Sequence, residues 1–313
     1  MKGKRVVVTG GAGFIGSNIA EELSTNNEVI IIDDLSSGRL QNISHLTQKP
    51  TVRFMQGSIT DLPFLEQAVA GADCIFHHAA LASVIMSIQD PLRTNEVNIL
   101  GTLNVLVAAH KHHIKKVVFA SSSAVYGDTP ILPAREEMPV NPLSPYAITK
   151  ATGEQYCSVF HQVYGLPAVS LRYFNVYGPR QDPASEYAAV VPKFISAALK
   201  GSPLNVFGDG QQTRDFVFVK DVVSANILAA EANVTGAFNI AAGQQTSVVQ
   251  LAHLVLKLAG RETTLHHQPP RAGEIRHSFA DISRATEFGY SPGYSLEQGM
   301  KKTISSFQAA QTP

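Results

Sequence analysis

Thr9-Gly10-Gly11-Ala12-Gly13-Phe14-Ile15-Gly16 decides the fold of this chain. It follows Arg5-Val6-Val7-Val8-Thr9, a β-branched run that reads as a buried strand, and it opens a helical pattern over 14–25. Glycines at 10, 13 and 16 let the backbone turn tightly and approach a pyrophosphate. The N-terminus of the following helix offers free N–H groups and a partial positive charge. A glycine triplet alone is weak evidence, but here it lies between a strand and a helix, and an acidic residue closes the next strand. That residue is Asp33, after Ile30-Ile31-Ile32. A carboxylate there accepts hydrogen bonds from adenosine ribose hydroxyls and repels a 2′-phosphate, which favours NAD over NADP. Arg39 is the nearby residue that would soften this preference.

Outward from this turn, short apolar runs alternate with helical spacings. Strands are expected over 28–33, 51–56, 74–77, 117–121 and 168–173, and helices over 95–111 and 145–164. This alternation predicts an α/β fold, a doubly wound parallel sheet of the Rossmann type. Toward the C-terminus, dense Gly and Pro punctuate shorter elements. Helices are expected over 187–200, 222–232, 247–258 and 296–308, and strands over 204–206, 216–219 and 237–241. The expected division is an NAD-binding domain over 1–177 and a smaller mixed α/β substrate-binding region over 178–313. Segments near 215–242 are expected to return to the sheet.

Bulk properties narrow the function classes. The 313 residues carry 25 Lys+Arg against 25 Asp+Glu, so charge makes no case for nucleic acid or an anionic membrane. No apolar run reaches the length of a membrane span and no targeting segment stands out, so a cytoplasmic protein is expected. Cys74 and Cys157 read as buried free thiols. The pairs His77/His78, His112/His113 and His266/His267 have no third ligand at metal spacing, so no metal is expected. His78 reads as a residue of the nucleotide cleft, and Tyr126 as structural.

Tyr146 and Lys150 sit four residues apart on an expected helix, hence on one face and roughly 6 Å apart along the axis. An ammonium there favours the phenolate of a tyrosine that otherwise ionises near pH ~10. A serine of Ser121-Ser122-Ser123 can share the substrate proton. The arrangement suits moving a proton on and off a sugar hydroxyl.

Several stretches taken in order resemble the extended short-chain dehydrogenase/reductase family, in its nucleotide-sugar 4-epimerase branch. They are the glycine turn, His78-Ala79-Ala80, Asn98-Ile99-Leu100-Gly101-Thr102, Ser121 to Gly127, Tyr146 to Lys150, Arg172 to Gly178, and Arg214-Asp215-Phe216. The resemblance implies that Ser122, Tyr146 and Lys150 are catalytic, with Tyr146 taking the 4-hydroxyl proton. It implies NAD contacts from Gly10, Gly13, Phe14, Ile15, Gly16 and Asp33, and from Ile59, Ala79, Asn98, Tyr146 and Lys150. Asn98 would support the active-site backbone. Gly57-Ser58-Ile59 departs from the family, whose members often carry an Asp after the third strand, and leaves adenine to the Ile59 backbone. The UDP-sugar would meet Ser122, Ser123, Asn175, Val190, Arg214, Arg271 and Ser278, with the two arginines clamping the pyrophosphate.

Within the family, a dehydratase carries an acidic pair after the catalytic hydroxyl, and a decarboxylase carries a glutamate two residues before the tyrosine of V-Y-G. Here Ser123 and Ala124 supply neither. Ser278, just before Phe279-Ala280-Asp281, stands where a tyrosine would restrict the sugar and a small residue admits N-acetyl. Asp182 stands where uronate-acting relatives tend to have arginine, which argues against a uronic acid. The expected substrates are therefore UDP-glucose and UDP-galactose, with UDP-GlcNAc and UDP-GalNAc also accepted. UDP-glucuronate epimerisation is the alternative within the family. A non-catalytic NAD-sensing protein on the same fold typically loses the Tyr or the Lys, and both are kept here. The helices over 95–111 and 145–164 are expected to form a four-helix bundle across a homodimer, as in relatives.

Overall fold

Alternate residues of Arg5–Thr9 (β1) bury on opposite sides of a sheet, Val6 and Val8 in one apolar cluster and Val7 in another. This is the pattern of a strand covered on both faces. The structure, a computed structural model, describes residues 1–182, 189–270 and 275–309. After β1 come α1 (Phe14–Leu23), β2 (Glu28–Asp33), β3 (Val52–Gln56), α2 (Leu62–Val69), β4 (Cys74–His77), α3 (Val84–Gln89), α4 (Pro91–Asn95) and α5 (Gly101–Lys111). They are followed by β5 (Lys116–Ser122), α6 (Pro145–Tyr164), β6 (Ala168–Tyr173), β7 (Asn175–Tyr177), α7 (Val190–Leu199), β8 (Leu204–Phe207), β9 (Thr213–Arg214) and β10 (Phe216–Phe218). The chain continues through α8 (Val219–Glu231), β11 (Gly236–Ile240), β12 (Thr246–Ser247), α9 (Val248–Ala259), β13 (Leu265–Gln268) and α10 (Leu296–Ala309).

Seven of these strands form one parallel sheet in the order β11-β6-β5-β4-β1-β2-β3. Residues of α1 and α8 pack in the cluster on one face, and those of α2, α5 and α6 in the cluster on the other. A third cluster gathers α7, α9 and α10 around β8 and β10. The last strand of the sheet, β11, pairs with β6 although α7 to α8 intervene. The order reverses between β1 and β4, and in such sheets the crevice at the carboxyl ends beside the reversal is where ligands bind.

Three local features depart from the expected elements. The helix α2 was not anticipated, although Asp61 caps it by accepting from the Phe64 N–H at 3.0 Å and Pro63 stands in its first turn. The helix expected over 95–111 is broken by a π-helical turn at Glu96–Leu100 between α4 and α5. The helix expected over 187–200 is described from Val190; Tyr187 lies outside the described residues. Among the described residues, no helix is long and apolar enough to cross a membrane.

Candidate active site

A cleft of about 240 Å³ opens at the reversal point, between the turn after β1 and the residues after β4. Gly10 has φ +66°, and a Cβ added there would lie 2.6 Å from the Ala79 amide nitrogen, so only glycine lets β1 and β4 close this edge. Phe14, Ile15 and Gly16 line the cleft at the start of α1. No side chain caps that helix and no acidic residue stands in its first turn. The first N–H groups of an α-helix have no intrahelical partner. Here they face a cleft, an arrangement that fits a pyrophosphate.

Asp33 is buried at the far end of the cleft. Its carboxylate accepts from the Ala12 N–H at 3.0 Å and the Leu35 N–H at 2.8 Å, which fixes its orientation. A carboxylate has further lone pairs, so ribose hydroxyls can still be bonded. Burial raises its pKa, partly opposed by those two N–H groups. Arg39 is committed elsewhere: its guanidinium pairs with Asp182. Arg39 does not line the dinucleotide cleft, and Asp182 does not line the sugar cavity described below.

Ile59 and Ala79 line the same cleft, but the Ile59 carbonyl already accepts from the Asn104 amide at 3.1 Å. Asn98 does not line it. Its side chain accepts from the Leu81 N–H at 2.8 Å and donates to the Thr149 hydroxyl at 3.0 Å and the Leu81 carbonyl at 3.2 Å. With these bonds made and the residue buried, Asn98 ties the π-helical turn to α6. His78 meets the cleft with Nε2 at 2.9 Å from the Tyr173 hydroxyl, and burial pushes its imidazole down to about 3, so it is neutral.

Helix α6 positions the Tyr/Lys pair. Ser144 caps it by accepting from the Ala147 N–H at 3.1 Å, and Pro145 fills the first turn. A Cβ on Gly153 would fall 2.4 Å from the Phe119 ring, so glycine lets the helix lie close against β5. This closeness brings Lys150 Nζ to 2.7 Å from the Ala120 carbonyl, which accepts a hydrogen bond from it. The ammonium sits 5.9 Å from the centroid of the Tyr146 ring. Burial lowers the Lys150 pKa to about 8. The Tyr146 phenol is raised by burial, opposed by a hydrogen bond with Ser122. Burial, rather than the Lys150 charge, sets the direction in which the Tyr146 phenol is moved.

Beyond Ser122, a second cavity is lined by Ser123, Ala124, Asn175, Arg214, His277 and Ser278. A third, lined by Val190, Asn205, Phe207 and Gln212, shares Asn175 and Arg214 with it. The two shared residues therefore stand where the cavities meet. The Ser278 N–H donates to the Thr213 carbonyl at 3.1 Å, which sets Ser278 beside Arg214. Arg271 lies outside the described residues. Tyr126, expected to be structural, is buried at the centre of a polar network that the sequence did not signal. It accepts from Arg172 Nη1 at 2.8 Å and donates to Asn239 Oδ1 at 2.7 Å.

The sheet, the helix-N-terminal cleft and the Tyr/Lys pair define a dinucleotide-binding short-chain dehydrogenase/reductase. The chain belongs to the NAD dependent epimerase/dehydratase family, whose model matches residues 6–241. It is 40% identical over 302 residues to a putative UDP-glucose 4-epimerase of Methanocaldococcus jannaschii, covering 96% of this chain and 97% of the relative. It resembles the solved structure of UDP-N-acetylglucosamine 4-epimerase from Methanobrevibacter ruminantium M1 in complex with UDP-N-acetylmuramic acid. That match has a TM-score of 0.97 and 43% identity over 99% of this chain and 100% of the other. It also resembles UDP-glucose 4-epimerase from Thermotoga maritima with UDP-glucose, with a TM-score of 0.93 and 39% identity over 98% and 99%.

Proposed function

We infer that the protein is an NAD-dependent UDP-sugar 4-epimerase that interconverts UDP-glucose with UDP-galactose and also accepts UDP-GlcNAc and UDP-GalNAc. The observation that carries this reading is that Tyr146 and Lys150 line the dinucleotide cleft while Ser123 and Ala124, the residues after Ser122, line the neighbouring cavity and are not acidic. NAD bound in the cleft supplies a hydride acceptor that is restored within one turnover, so no net redox change results. Tyr146 takes the O4 proton and later returns it, with Ser122 sharing that proton. Lys150 holds positive charge beside the phenol. Without an acid at 123 or 124, the 4-keto sugar has no partner for water elimination. Arg214 and Arg271 hold the pyrophosphate while the sugar turns over. On this reading residues 1–177 hold NAD, with the 215–242 segment returning to the sheet, and residues 178–313 carry most of the UDP-sugar site.

The test is direct. The purified protein is incubated with UDP-Glc, UDP-GlcNAc and UDP-GlcA separately, with and without added NAD⁺, and the anomeric protons are followed by NMR. Inversion at C4 is expected with the first two; none with any sugar sinks the reading. Ser278→Tyr should lower UDP-GlcNAc turnover roughly tenfold or more while UDP-Glc turnover persists, since filling the cavity penalises the larger 2-substituent. Equal losses for both sugars would remove Ser278 from sugar selection.

We also propose that the protein is a homodimer. The outer face of α6 exposes Ile148, Val159 and Val163, the last 67% accessible. Leu92 on the neighbouring α4 is 83% accessible, and apolar side chains this exposed mark association surfaces when they cluster. Light scattering at micromolar protein should give twice the 33.6 kDa chain mass, and Val163→Glu should halve it. A monomeric mass for the unaltered protein counts against the dimer.

A further inference from the structure

Glu154 continues the face of α6 that carries Tyr146 and Lys150, one turn beyond the lysine. It is buried, and the reaction as derived above gives it no role. Its Oε1 accepts from the Arg172 Nε at 2.9 Å and its Oε2 from Arg172 Nη2 at 2.7 Å. Oε1 also accepts from the hydroxyl of Ser121, which lines the same cleft as Tyr146 and Lys150. Arg172 passes the contact on to the Tyr126 hydroxyl, which donates to Asn239, and the Asn239 amide donates to the Ala134 carbonyl at 3.0 Å. Ala134 lines the sugar cavity. One buried carboxylate thus fixes a cleft residue on one side and, through three side chains, the cavity wall on the other.

Its charge has a definite target. Among the described residues, the titratable groups facing Lys150 are Tyr146, Glu154 and Cys157 from α6 and His77 and His78 from the end of β4. Burial holds both imidazoles and the thiol in their neutral forms and raises the phenol. The Glu154 carboxylate is therefore the anion that opposes the effect of burial on Lys150. Burying an ion pair costs free energy unless its hydrogen bonds are well made, and here both oxygens are engaged.

We propose that Glu154 is a positioning residue for proton transfer: held in place by Arg172, it keeps Lys150 charged and Ser121 oriented at the cofactor cleft. The proposal rests on the epimerase reading for its catalytic consequence but not for its effect on Lys150. Glu154→Gln keeps the shape and removes the charge, so Lys150 should lose its proton at lower pH. The expected shift is roughly one pH unit downward. Lysine-selective ¹³C NMR reads this titration, with Lys150 assigned by the resonance missing in Lys150→Arg. The alkaline limb of kcat should move down by the same amount, with KM for the UDP-sugar little changed. Glu154→Asp keeps the charge and should leave both midpoints near those of the unaltered protein.

Glu154→Gln leaves the Arg172 guanidinium buried without a counter-charge, a strongly destabilising change. Glu154→Gln/Arg172→Gln removes both charges. Its Lys150 midpoint should still move down, because Glu154 stands one helical turn from Lys150 on α6 whereas Arg172 is on β6. An unmoved Lys150 midpoint or alkaline limb in whichever variant folds overturns the proposal, as does a Glu154→Asp shift equal to that of Glu154→Gln. Absence of C4 inversion by the unaltered protein would instead defeat the epimerase reading, and the NMR titration would still decide the link between Glu154 and Lys150.

Discussion

Tyr146→Phe should lower kcat for C4 inversion by about 10³-fold, within the range that positioned acid–base groups contribute. The ring would still pack beside the Lys150 ammonium, now 5.9 Å from its centroid. Only the hydroxyl is lost, and Ser122 keeps its bond from the Ala124 N–H at 3.2 Å. Stability should fall by about 1 kcal/mol, the usual net worth of one hydrogen bond. UDP affinity, measured by calorimetry, should change little, because Asn175 and Arg214 line cavities to which Tyr146 does not belong. Turnover within tenfold of the unaltered protein would overturn the role given to Tyr146. Burial raises the phenol and so disfavours the phenolate that takes the sugar's proton. Proton uptake from the sugar therefore depends on charge held nearby, and Lys150, pushed down to about 8, loses that charge as pH rises. Activity should accordingly decline on the alkaline side of neutrality.

Gly10→Ala should destabilise the protein by about 3 kcal/mol and abolish dinucleotide binding. Two costs combine at this position. The backbone has φ +66°, which an L side chain rarely adopts, and the new Cβ would stand 2.6 Å from the Ala79 nitrogen and 2.7 Å from the His78 carbonyl carbon. Both are backbone atoms of the neighbouring strand end, so relief requires β1 and β4 to part where the pyrophosphate would bind. Gly260→Ala separates the two costs. Gly260 has φ +61° with nothing within 4 Å of its Cβ, so it should show only the conformational penalty, about 1 kcal/mol, and unaltered NAD binding. Thermal melts and NAD titration compare the two variants. Equal effects at the two positions would show that φ alone matters, and that the packing of the glycine turn against Ala79 contributes nothing.

The parts of the fold that were legible are those in which a short segment dictates its own structure. Val6-Val7-Val8 and Ile30-Ile31-Ile32 are β-branched runs with apolar residues on both faces, which only a two-sided parallel sheet can bury. The glycine turn needed only its place between a strand and a helix. Helix α2 was legible in principle, through Asp61 at its cap and Pro63 in its first turn, but Pro63 reads equally as the start of a loop. The π-helical turn at Glu96–Leu100 was not, because it occupies a single turn inside a run whose flanks both read as helix.

The candidate site divides along the same line. Tyr146, Lys150 and Glu154 share a face because 3.6 residues make a turn, and the sequence by itself determined this, as it did the β1–α1 glycine turn, Asp33 and the non-acidic Ser123-Ala124. What each group meets was decided by tertiary structure alone. Arg39 reaches Asp182 across 143 positions, Asn98 spends its amide on Leu81 and Thr149, and Glu154 finds Arg172 on the neighbouring strand. These partners are fixed by how β5, β6 and α6 stack, and a charge or amide in the sequence carries no record of its distant partner. The same holds for Tyr146: the spacing to Lys150 is local, but the burial that raises its phenol belongs to the assembled fold.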